Sequence, residues 1–186
     1  MRKILIGILL LLLAGCIIKP APKAIEPLQV KAGFYEITEH DVLKLIDEGA
    51  ITGAQVSVRG ITLGDKLTDI IKTLGMPQYM DEFDEGSVIN AKYANKNNET
   101  LVIFNLVNDS VERITIREGF VPFLVNYSRF EYYELANITS TFGKPDVSYD
   151  TQFIRVYEYH DEGLELFHRR KQLTGFALVN PKNASA

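Results

Sequence analysis

The chain has 186 residues, 46% of them hydrophobic and 24% charged, with a formal charge of −4. That balance belongs to a globular chain with apolar material for one or two small cores, and it excludes disordered and fibrous classes. The acidic excess argues against a nucleic-acid binder, and a single cysteine excludes both a disulfide framework and a thiolate zinc site.

The chain opens on Met1-Arg2-Lys3, continues through an apolar run over 4–14, and reaches small residues before Cys16. This is a signal-peptide pattern. A membrane-spanning helix needs about 20 apolar residues, and even with Ile17 and Ile18 the run stops at Lys19-Pro20. Leu13-Ala14-Gly15-Cys16 resembles the lipobox of prokaryotic lipoproteins. The resemblance implies cleavage after Gly15 and a diacylglyceryl group on the Cys16 thiol; the alternative is an uncleaved N-terminal anchor. Each buried methylene contributes about 0.8 kcal/mol, so the acyl chains alone hold a protein on a membrane. Loss of Arg2 and Lys3 leaves 18 basic against 24 acidic residues, a charge of −6. Residues 16–33, with Pro20, Pro22 and Pro27, have no period and read as a tether.

Two units are expected after the tether, over 34–118 and 119–182. Ahead of the first repeat, Thr38 with Asp41 three residues on reads as an N-cap, followed by Val42, Leu45 and Ile46 on one helical face. Asp69-Ile70-Ile71-Lys72-Thr73-Leu74-Gly75-Met76-Pro77 then aligns with Asn137-Ile138-Thr139-Ser140-Thr141-Phe142-Gly143-Lys144-Pro145, Gly143 following Gly75 by 68 residues. Leu67, Ile70, Ile71 and Leu74 form the first helical stripe; Leu135, Ile138 and Phe142 form the second. In each copy Gly supplies the C-cap and Pro stops the helix. Period-two segments follow. In the first unit they cover 79–83, 87–94, 99–106 and 110–116, with turns at Lys96-Asn97-Asn98 and Asn108-Asp109. In the second they cover 147–149, 152–160, 164–167 and 172–179, with a turn at Asp161-Glu162-Gly163. The expected fold class is α+β: two tandem units, each a helix or helix pair packed on a three- to four-stranded antiparallel meander. The apolar stretch 119–125, interrupted by Pro122, is expected to connect them.

Ile61-Thr62-Leu63-Gly64-Asp65, a helix ending Leu74-Gly75-Met76-Pro77, and a meander together resemble the small outer-membrane-assembly lipoprotein domain of the SmpA/OmlA type. The tandem arrangement is similar to the beta-lactamase inhibitor protein family. The likeness covers about 60–116 well and 129–179 more loosely, Tyr132 standing where the first copy has Gly64. It implies an envelope protein that binds other proteins through its sheet or loops and performs no chemistry, and it transfers no contact residue.

Chemistry-bearing residues are sparse. His40, His160 and His168 lack metal-protease spacing, and no nucleophile-elbow motif occurs. A two-histidine site at His160 and His168 falls short of the three or four ligands that zinc takes. Asp81, Glu82, Asp84 and Glu85 form an acidic run that reads as a solvated turn or a contributor to a hard-cation site. His168-Arg169-Arg170-Lys171 reads as a basic hairpin tip, either a soluble turn or a docking point for an acidic partner or headgroup. Among nine tyrosines, Tyr157 and Tyr159 are expected to share a face with Phe153, read as core in preference to an aromatic platform. Asn98, Asn108, Asn126, Asn137 and Asn183 each begin an N-x-Ser/Thr acceptor for glycosylation. Asn and Ser or Thr also gather in turns and caps without any glycan.

The expected protein is therefore extracytoplasmic and lipid-anchored to a membrane of the cell envelope. Its expected role is non-enzymatic binding or scaffolding of another envelope protein, with no catalytic residue, metal or cofactor and no nucleic acid. The rival expectation is a small-ligand or cation sensor using the groove between the two units, with the acidic run at 81–85 as polar contributor.

Overall fold

Alternation of apolar and polar residues after Pro77 builds most of the molecule. A computed structural model describes residues 31–37, 41–117, 120, 140, 142–170 and 172–182. Short elements lead in: β1 (Tyr35–Glu36), α1 (Val42–Asp47), a 3-10 turn (Gly53–Gln55), β2 (Val56–Ser57) and α2 (Leu67–Leu74). Strands β3 (Tyr79–Phe83), β4 (Val88–Ala94), β5 (Thr100–Val107) and β6 (Ser110–Arg117) form one antiparallel meander. Strands β7 (Val147–Asp150), β8 (Arg155–Tyr159), β9 (Leu164–Arg169) and β10 (Gln172–Val179) form another.

The meanders do not make two helix-packed units. Strands β6 and β10 pair, and the result is one eight-stranded antiparallel sheet in the order β3-β4-β5-β6-β10-β9-β8-β7. This overturns the expected fold class. Two short α-helices are described over their whole length, both before β3; most of the helix expected over 135–142 lies outside the described residues, and Ser140 within it is helical. The physical reason is edge chemistry: the last strand of each meander carries a row of unpaired backbone groups, and joining the two rows satisfies both.

The junction has an internal two-fold relation. One row of Cα partners crosses the whole sheet, Tyr79–Lys92–Ile103–Thr115 and then Ala177–Glu165–Glu158–Val147. Val147 follows Tyr79 by 68 residues, the same interval as between Gly75 and Gly143. The pair at the centre, Thr115 and Ala177, sits on the axis. Side-chain bonds repeat as well. Tyr93 on β4 donates its hydroxyl to the Gly75 carbonyl at 2.7 Å, and Tyr159 on β8 donates to the Gly143 carbonyl at 3.4 Å. Gln78 Oε1 accepts from the Ala94 amide at 2.9 Å, and Asp146 Oδ2 from the His160 amide at 2.7 Å.

One sheet face carries the core. Phe104, Leu106, Ile114, Ile116, Leu166 and Phe176 are buried there beneath Ile70 of α2 and Val42, Leu43 and Ile46 of α1. Helix α2 follows the predicted stripe and ends at Gly75, whose φ of +81° is the left-handed conformation that glycine accommodates without strain. Helix α1 starts later than expected: Asp41 caps it, accepting from the Lys44 amide at 3.3 Å, and Thr38 and His40 lie outside the described residues. A parallel pairing of β1 with β2, unforeseen in the sequence, buries Glu36, whose carboxylate accepts from Ser57 Oγ at 2.9 Å and from the Arg59 and Gly60 amides at 2.8 and 3.0 Å. The predicted strand over 152–160 is shorter than expected. Thr151 donates its amide to the Ile154 carbonyl at 2.8 Å, and the chain turns before β8 begins. Phe153 consequently leaves the face of Tyr157 and Tyr159; it is 68% exposed, whereas the two tyrosines are buried in the core.

Candidate functional site

The opposite sheet face carries a different set of side chains. Cross-strand partners share a face, so Asp81, Asn90, Asn105 and Arg113 form one polar row on it. Asn105 Nδ2 donates to Asn90 Oδ1 at 2.7 Å, and the Thr115 hydroxyl donates to Asn105 Oδ1 at 3.4 Å. Lys92 pairs with Asp81. Arg113 spans the junction: its Nη2 lies 2.6 Å from Glu165 Oε2, and its guanidinium covers the Phe167 ring at 5.5 Å. Phe167, Val156 and Ala177, with Ile154 against them, make a small apolar cluster on this face.

Two carboxylates directly opposite each other, Glu158 and Glu165, titrate in opposite directions. Burial pushes the Glu165 carboxyl up, Arg113 offsets part of that, and Glu158 adds to it. Burial also acts to raise Glu158, but its hydrogen bond with His160 and the charge of Lys182 outweigh that and hold it down. His160 Nε2 is 3.0 Å and Lys182 Nζ 3.6 Å from Glu158 Oε2.

A groove of about 290 Å³ crosses this face. Asn90, Asn105, Arg113 and Arg117 line it from the first meander, and Tyr149, Val156, Phe167 and Thr174 are among its walls from the second. Contributions from β4 and β7, far apart in strand order, require the sheet to curl toward this face. At the margins, Tyr79, Phe83 and Val107 are exposed on one side and Val147 and Tyr149 on the other. A larger cavity of about 570 Å³ lies on the core side between Leu74, Tyr93, Phe104 and Phe120, where both chain neighbours of Phe120 are outside the described residues.

The residues singled out in the sequence are not gathered at the groove. Gly15, Cys16, Asn126, Asn137 and Asn183 lie outside the described residues. Asn98 and Asn108 are exposed turn residues with φ of +62° and +50°, a conformation that Asn tolerates better than most residues. His160 and His168 sit at opposite ends of the β8–β9 ladder, about 17 Å apart by strand rise. His168 is buried against Tyr157, so the pair shares no ligand. Asp84 and Glu85 form a 3-10 turn after β3 and are not among the groove residues. No group of three or more His, Cys, Asp or Glu suited to a metal ion occurs among the described residues. Arg169 and Arg170 are exposed at the β9–β10 hairpin. The sequence pattern does not single out Asn90, Asn105, Arg113, Thr115 and Arg117, because polar residues alternating with apolar ones read only as a solvent face. No helix among the described residues is long and apolar enough to cross a membrane.

No protein-family model matches the chain, and a search of curated proteins finds no match. Among solved structures, a DUF4309 family protein (YjgB) from Bacillus subtilis is similar with a TM-score of 0.41 and 10% identity, over 77% of this chain and 95% of that one. An extracellular protein containing a SCP domain from Bacillus anthracis is similar with a TM-score of 0.42 and 12% identity, over 63% of this chain. The match spans 44% of that second protein's length.

Proposed function

We propose that this chain is an extracytoplasmic lipoprotein, held on an envelope membrane by an acylated Cys16, whose open sheet face binds another protein without catalysing a reaction. The observation that carries this reading is the open face itself. Exposed Tyr79 and Phe83 at one margin and Val147 and Tyr149 at the other flank a band of ordered polar groups. Grouped exposed aromatic and aliphatic side chains around satisfied polar residues are the composition of interaction surfaces. The lipobox-like segment and the resemblance of 61–77 to small assembly lipoproteins favour the same role.

The test is photo-crosslinking in native membranes, with the photoreactive residue at Tyr79 or Tyr149 and a control at exposed Lys72 on α2. A discrete adduct from both face positions and none from Lys72 is the expected result. Equal labelling from all three, or none from the face, overturns the reading. Cys16→Ser, compared by intact mass and membrane partitioning, is expected to lose acyl mass and membrane retention. A second reading, a small-ligand sensor, is favoured by the groove; its polar contributors are then Asn90, Asn105 and Arg117 in place of the acidic run.

A further inference from the structure

The two-fold frame of the sheet carries unlike side chains on the open face. By place in the ladders, Asn90, Asn105 and Arg113 of the first meander correspond to Val156, Phe167 and Gly175 of the second. The groove is thus amide and guanidinium on one wall and apolar on the other. Among the described residues two arginines line it and no Asp or Glu does, in a chain whose net charge is acidic.

The two arginines differ. Arg113 is engaged with Glu165 at 2.6 Å. Arg117, at the end of β6, has no acid within ion-pair distance among the described residues. Its partner across the ladder is Gly175, where a Cβ would lie 2.4 Å from the Ile116 carbonyl oxygen. No side chain therefore stands between the Arg117 position and Phe167, the next residue in the same row. On the polar wall, the relay from Thr115 through Asn105 to Asn90 leaves the Asn90 amide nitrogen without an acceptor among the described residues.

We propose that this groove binds a small monocarboxylic acid, its carboxylate on the Arg117 guanidinium and its flat or branched apolar body on Phe167, Val156 and Ile154. A guanidinium matches a carboxylate in a planar, two-point geometry. An arginine with no ion pair among the described residues, beside an apolar floor, selects one charge on an apolar body, and a volume of about 290 Å³ restricts the ligand to a small molecule. The assignment rests on the second reading above, a small ligand held in the groove of the open face.

The probe is 3-phenylpropionate, titrated into the full chain in zwitterionic detergent and followed by ligand-observed NMR, with empty micelles as the blank and 3-phenylpropionamide as the uncharged counterpart. Saturable binding of the acid is expected, at least tenfold tighter than that of the amide. Arg117→Gln is expected to weaken acid binding at least tenfold with an unchanged melting temperature, and Arg117→Lys to recover part of the loss. Equal binding of acid and amide, or an acid affinity indifferent to Arg117→Gln, overturns the proposal. Binding of a peptide ending in a free Phe carboxylate, with none of phenylpropionate, overturns it in favour of a chain terminus as the ligand. If the acid binds as expected while crosslinking from Tyr79 and Tyr149 fails, the groove assignment stands and the protein-binding reading falls.

Discussion

Glu36 illustrates how a charged residue comes to sit in the core. Its carboxylate accepts from one hydroxyl and two backbone amides of the turn at Arg59 and Gly60, and bonds to a charged acceptor contribute more than neutral ones. Glu36→Ala leaves those donors without their carboxylate, with an expected cost of about 1–3 kcal/mol in urea denaturation. The repeated tyrosine bonds are smaller. Tyr93→Phe is expected to cost about 1 kcal/mol and Tyr159→Phe less, since its bond is longer, with additive losses because the sites are well separated. Burial raises both phenols, that of Tyr159 to about 12, so both remain donors across the neutral range. Glu158 and Glu165 set a pH dependence. Glu165 is raised above its ordinary 4.5, so its contribution is full below that value and is lost as pH rises through the folded pKa. Glu158 is lowered, so its contribution is full above the ordinary value and is lost as pH falls through the folded pKa. Melting temperatures are expected to show Glu165→Gln flattening the dependence above 4.5 and Glu158→Gln flattening it below.

Strands and turns were the legible elements. The predicted 79–83 and 172–179 coincide with β3 and β10, and the other boundaries in the first meander shift by about one residue. Their signals are local: alternation within a strand, and Asn108-Asp109 at two consecutive positive φ values, the geometry of a two-residue hairpin turn. Asn108→Val is expected to cost about 1–2 kcal/mol, because a branched side chain resists that conformation. The same loss in protein from a host that adds no glycans separates turn geometry from modification. What was not legible depends on residues far apart in the chain. The β1–β2 pair has two residues a side, too short for any period. The groove joins Asn90 to Phe167 and Arg117 to Gly175 through pairings that local pattern does not encode.

At the scale of the whole molecule, one continuous sheet and one main core replace the separately helix-packed meanders expected from the repeat. The core runs from Ile37 and Ile46 through Phe104 and Ile116 to Leu166 and Phe176, crossing the β6–β10 junction. Unfolding is therefore expected as a single transition, with calorimetric and van't Hoff enthalpies equal; two resolved transitions contradict it. The Gly53 turn ties the leading segment to the second meander as well: its amide donates to the Glu162 carbonyl at 2.7 Å, and a Cβ there would stand 2.1 Å from the Gly163 carbonyl oxygen.

The β6–β10 pairing also sets an order of events during synthesis. Strand β6 is complete at Arg117, whereas its partner begins only at Gln172. At about 5–20 residues per second, the ribosome needs on the order of several seconds to make the intervening chain. For an exported chain, that delay is added to the time spent threading through the membrane. Throughout that interval the first meander has a bare edge ending in the apolar Ile114 and Ile116, and the same edge on a neighbouring nascent chain is the nearest substitute for the missing strand. High-level expression therefore favours strand-exchanged pairs over monomers, and slowing synthesis upstream of β6, or supplying an edge-binding chaperone, shifts the yield back.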